Sequence, residues 1–188
     1  MNLIAVAVAG YVAFSLELGL RNSFAIGGGI APSFVFVLCT ILAIGAPGSL
    51  VLWICLVFGV LTDLTWPHEV LSGEPVTIVG PYAIGYLIAG QFILALRSQI
   101  IKRNPLSVGF MCMTGYFVAQ TVVVAIYTFR WIYTPTMPWE PTHQLLQRVL
   151  AAVYTGILGV LIGFLAQALS AALGIQPPQQ RRSTRPIY

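Results

Sequence analysis

Residues 49–66 read SLVLWICLVFGVLTDLTW, and the fold class turns on how this stretch is taken. From Ser49 to Thr62 no residue is charged, and apolar side chains follow one another without alternation. A transmembrane strand would alternate apolar and polar positions, so a barrel is set aside. A continuous run of this kind, approaching the ~20 residues that cross a bilayer, predicts a membrane-spanning helix. Asp63 stands near the end of that run, about 21 Å along the helix from Ser49 at 1.5 Å per residue. That depth is interfacial, where a carboxylate costs far less than at the midplane. It is also close to a helix C-terminus, whose dipole disfavours negative charge by roughly 0.3–1 kcal/mol.

The rest of the chain has the same character. Of 188 residues, 58% are hydrophobic and 7% charged, against roughly a quarter charged in soluble domains. Six apolar segments are expected, at roughly 3–20, 30–45, 49–66, 77–97, 106–129 and 144–173. The expectation is an all-α polytopic bundle of about six transmembrane helices over residues 1–174, followed by a basic, Pro/Gln-rich disordered tail over 175–188. The N-terminal segment lacks a basic n-region and is expected to be a retained first helix rather than a cleaved signal. Pro32 is expected in the first turn of the second helix, which "GAPG" (45–48) joins to the third as a hairpin.

Charge sets an expected direction. The net charge is +4, with Arg97, Lys102 and Arg103 between segments 4 and 5 and Arg181, Arg182 and Arg185 in the tail. These predict cytoplasmic termini in a multi-pass membrane protein. Arg21, Arg130 and Arg148 then share the outer side with Asp63, and one of them is its expected counter-ion. Trp66, Trp131, Tyr133 and Trp139 suit an outer aromatic belt. The basic residues lie in flanks rather than on one face, so no nucleic-acid partner is expected. The lipid bilayer is.

Polar residues inside the segments narrow the function. Glu17 precedes Arg21 by four residues, the favourable order for a local helical ion pair. Gln91, Gln120 and Gln167 either bond across helices or line a ligand cavity. Segment 6 carries Ala152, Gly156, Gly159, Gly163, Ala166 and Ser170 at heptad spacing, a seam of small residues that lets a helix approach closely. Ala5, Ala9 and Ala13 form a shorter strip in segment 1. Either strip is internal packing or a groove for a foreign helix. His68 with Glu69, Glu74 and Asp63 matches no metal-ligand spacing. Cys39, Cys55 and Cys112 show no CxxC pattern. No nucleophile motif or P-loop occurs. Catalytic, cofactor-binding and metal residues are therefore expected to be none.

The region around Asp63 resembles the rod shape-determining MreD family. The residues concerned are "GVLTDL" (59–64), "LSGEP" (71–75) and "GYLIAG" (85–90), about 35 residues in all. Leu64 to Leu71 separate the Asp from the Ser-Gly, where the family spacing is shorter, as if the external loop held an insertion. The resemblance implies a fold similar to the substrate-binding components of energy-coupling-factor vitamin transporters. It implies a non-enzymatic scaffold in the bacterial inner membrane that binds the single-pass MreC. Through MreC it would join an SEDS glycosyltransferase and a class B penicillin-binding protein of the lateral peptidoglycan-synthesis machinery. Gly59, Asp63, Arg21, Gly156, Gly159, Gly163 and Ala166 are the structural or partner-binding residues expected on that reading. A homo-oligomer remains open. The fold kinship supplies the alternative, a vitamin-capture subunit.

Overall fold

The computed structural model describes residues 3–26, 30–66, 68–69, 75–98, 104–133 and 140–172. Within them six helices follow in order: α1 (Leu3–Phe24), α2 (Phe34–Gly45), α3 (Gly48–Thr65), α4 (Pro81–Leu96), α5 (Pro105–Tyr133) and α6 (Pro141–Ala172). Between α3 and α4 lies a two-residue antiparallel ladder, β1 (His68–Glu69) on β2 (Pro75–Val76), pairing His68 with Val76. Three helices are long and apolar enough to cross a membrane: α3, α5, and α6 over Pro141–Leu165. α2 and α4 are apolar but shorter.

The segments expected from hydropathy are all present as helices. Their ends moved, for local reasons. α2 begins after Pro32, because the Ser33 hydroxyl accepts the Phe36 N–H at 3.2 Å and caps the first turn from outside; a Ser N-cap satisfies a donor the helix cannot. α4 begins later than expected, at Pro81, whose fixed φ suits a first helical position. Gly80 precedes it at φ 133°, a turn that any side chain would strain. The tail, the loop residues 70–74 and Lys102 and Arg103 lie outside the described residues.

Small residues set how closely the helices approach. A Cβ on Gly156 would stand 2.7 Å from Met113 Cβ, and one on Gly159 2.7 Å from Cys112 Sγ. Gly109 meets the other side of the same contact, at the Gly156 carbonyl and Val160. The seam of α6 is therefore filled by α5, and this antiparallel pair is the most extensive helix contact of the molecule. Gly163 sits farther along the same line, where a Cβ would stand 3.3 Å from Pro105. The side chain of Ala166 lies outside the described residues. In α1, Ala13 is buried while Ile4, Val8 and Tyr11 point outward; its Phe14 meets Phe58 of α3 edge to face at 5.8 Å. The side chain of Ala5 is not described.

α2 is the short helix at the centre. Val35, Phe36, Val37, Cys39, Thr40 and Ala43 are all buried, and α2 touches every other helix. Both of its ends are held by a charge of the sign its dipole favours. At the N-terminus Glu17 of α1 accepts the Val35 N–H at 2.9 Å and the Ser33 hydroxyl at 3.1 Å. At the C-terminus Arg97 donates Nη1 to the carbonyls of Ala46 (2.8 Å) and Ala43 (3.3 Å).

Candidate functional site

Asp63 is 2% exposed, far more buried than an interfacial carboxylate in contact with water. Its oxygens accept three backbone N–H groups: Gly80 (2.9 Å), Tyr82 (3.0 Å) and Ala83 (3.1 Å). These are donors at the start of α4, which no intrahelical carbonyl can reach. One turn earlier Gly59 lies against the same segment, where a Cβ would stand 2.6 Å from both Ala83 Cα and the Tyr82 carbonyl. The spacing G-x-x-x-D thus has a local cause. Gly59 lets the α4 backbone touch α3, and Asp63 on the same face then meets its exposed N–H groups.

Two of the three arginines expected as counter-ions, Arg21 and Arg148, make other contacts in the described geometry. Arg21 lays its guanidinium over the Trp66 ring, 3.7 Å from the centroid. Arg148 donates Nη1 to the Tyr82 hydroxyl at 3.0 Å and to Gln120 Oε1. Arg130 lies on an exposed turn of α5. Glu17, expected to pair locally with Arg21, remains in electrostatic contact with it and also turns its oxygens to the start of α2. Sequence spacing along one helix cannot show that a neighbouring helix offers a stronger set of donors.

Next to this joint, at the end of the bundle where α2, α4 and α6 begin, is a cavity of about 150 Å³. α1 contributes Glu17 and Arg21, and the end of α3 contributes Thr62 and Trp66. Tyr82 and Tyr86 of α4 face Tyr116 and Gln120 of α5. The first turns of α6 close the wall with Gln144, Gln147 and Arg148. The floor is built from aromatic edges: Phe36 packs on Tyr86 and Tyr116 with centroids 5.2 and 5.0 Å apart, and Tyr82 packs on Tyr86. Thr155 fixes the neighbouring loop by accepting the Ser33 N–H at 3.1 Å.

Tyr82 links joint and cavity. Its N–H bonds Asp63 and its hydroxyl bonds Arg148. Of the amides singled out in the sequence, Gln120 lines this cavity, Gln91 is exposed, and the side chain of Gln167 lies outside the described residues. The sequence pattern carries no mark for the three tyrosines, and it points to Arg148 only as a counter-ion. Nothing in a single sequence marks a tyrosine as facing inward. The one available signal was Arg148 itself, a cation within the opening turns of a long apolar helix.

His143 is exposed, while the side chains of His68, Glu69 and Glu74 lie outside the described residues. Among the described residues no three His, Cys, Asp or Glu side chains stand close enough to hold a metal ion. The three cysteines are buried and unpaired.

The fold and site together define a helical protein with three helices long and apolar enough to cross a membrane and a buried polar joint. No family model matches the chain, and neither a curated protein nor a solved structure matches it.

Proposed function

We propose that this protein is a non-enzymatic, multi-pass scaffold of the MreD type in a bacterial cytoplasmic membrane. In this reading all six helices cross, with both termini cytoplasmic and the cavity end outside, as the basic residues between α4 and α5 suggest. Its partner is an MreC-like single-pass protein, and through it the glycosyltransferase and penicillin-binding protein of lateral wall synthesis.

The observation that supports this most is the joint of Gly59 and Asp63. Gly59 and Asp63, two of the residues that carry the resemblance, act as a structural unit: they hold the start of α4 on α3 and fix Gly80 at the end of the loop between them. A scaffold needs such a rigid frame and needs no turnover. The seam of α6 is occupied by α5, so the partner helix would take an outward apolar face, not Gly156, Gly159 or Gly163.

The test is affinity purification from the native host in mild detergent, with crosslinking. A single-pass coiled-coil scaffold and wall synthases among the retained proteins are expected. Coupling ATPases with a transmembrane coupling subunit would overturn the proposal in favour of a vitamin-capture subunit.

A further inference from the structure

Arg148 is a buried charge with incomplete compensation. Its hydrogen-bond partners, Tyr82 and Gln120, are both neutral. Its Nε is buried and meets no acceptor. A guanidinium taken out of water needs an anion or a full set of acceptors, and removing either is costly. The carboxylates nearest in the fold are committed elsewhere. Glu17 shares the cavity, but its oxygens bond Ser33 and Val35 at the start of α2. Asp63 bonds three N–H groups of the α4 start. Arg21 adds a second guanidinium to the cavity wall. Two cations thus face a space with one carboxylate, Glu17, which interacts with Arg21 and bonds the start of α2, so the wall keeps a net positive charge centred on Arg148.

We infer that the cavity is an anion site, in which Arg148 receives a single phosphate or carboxylate group. Size limits the ligand. At about 150 Å³ the space is below the roughly 300–1,000 Å³ of pockets that enclose drug-sized molecules. It holds one small charged group, not a whole vitamin. The remaining wall suits that group, with hydroxyls of Tyr82, Tyr86 and Tyr116 and amides of Gln144 and Gln147 as further donors. Two sources share this chemistry: the headgroup of an anionic lipid with its chains outside the cavity, and a free phosphate or carboxylate ion. The inference goes beyond the scaffold reading and does not depend on it.

The experiment is thermal unfolding of the whole protein in a neutral detergent, titrated with inorganic phosphate, acetate, or short-chain phosphatidylglycerol, with phosphatidylcholine and matched chloride as controls. A ligand that binds only the folded form raises the melting temperature in a saturable way. A shift with phosphate or acetate assigns the site to a free anion. A shift with phosphatidylglycerol alone assigns it to a lipid headgroup. No saturable shift with any anion beyond the chloride control overturns the inference. Arg148→Gln should weaken the apparent affinity about tenfold or more. Equal affinity in Arg148→Gln would also overturn it. Should that variant fail to fold, Gln147→Ala and Arg21→Gln serve in its place. Each is expected to weaken anion binding several-fold, and unchanged affinity in both would be decisive against the site.

Discussion

Asp63 is in an adverse field from its own helix and a favourable one from the next. Near the end of α3 the macrodipole opposes a negative charge, and at the start of α4 it attracts one. The three N–H bonds from Gly80, Tyr82 and Ala83 decide the balance. Asp63→Ala should lower stability by about 2–4 kcal/mol, since it removes a cap and leaves buried donors unmet. Asp63→Asn keeps one carbonyl oxygen and should lose roughly half as much. Thermal unfolding in detergent separates the two, and equal stability of all three proteins would refute the capping role. Gly59→Ala should be at least as damaging, because its Cβ meets backbone atoms that cannot swing aside. That Asp63 needs a partner was legible in the sequence. That the partner is backbone was not, because orphan N–H groups belong to every helix start and carry no residue signature.

Among the elements, α2 depends most on its neighbours. Twelve residues make a helix about 18 Å long, and beyond the Ser33 cap its ends rely on Glu17 and Arg97 inside the bundle. Arg97→Leu should cost about 1–2 kcal/mol by freeing the carbonyls of Ala43 and Ala46. Arg97→Lys should recover part of that loss, and the same unfolding assay reads both. The pairing of α5 with α6 gives a graded expectation. Gly156→Leu and Gly159→Leu should abolish folded protein in size-exclusion profiles, while Gly163→Leu, with its looser contact at Pro105, should be partly tolerated. The heptad of small residues in α6 announced a close approach. It did not say which helix approaches, since the counterpart on α5 is one glycine, Gly109, beside Met113 and Cys112. Lengths of α1, α3, α5 and α6 followed from hydropathy, whereas the start of α2 was set by Ser33, a cap that hydropathy does not register.

At the scale of the molecule, the apolar surface divides cleanly. Val35, Ala43, Ala89 and Val123 have no exposure, while Tyr11, Trp53, Phe129 and Leu165 are more than half exposed. A surface this apolar suits lipid rather than water. The buried set includes all three cysteines, so a membrane-permeant maleimide should leave Cys39, Cys55 and Cys112 unlabelled in the folded protein and label them after unfolding. Fast labelling of the native form would contradict the packing.

The capping carboxylates also bear on how the chain is made. Glu17 and Asp63 each leave the ribosome before the N–H groups that satisfy them. Until the following helix arrives, the two carboxylates lack these donors, although Glu17 has Arg21 within its own helix. On the proposed membrane topology each helix is expected to insert less readily alone than with its successor, so that the nascent chain would enter the bilayer in pairs. Chains stopped after Trp66 should integrate α3 less efficiently than chains stopped after Ser98, and Asp63→Ala should remove most of that difference. The bonds that hold the finished protein thus also set the unit in which it is delivered.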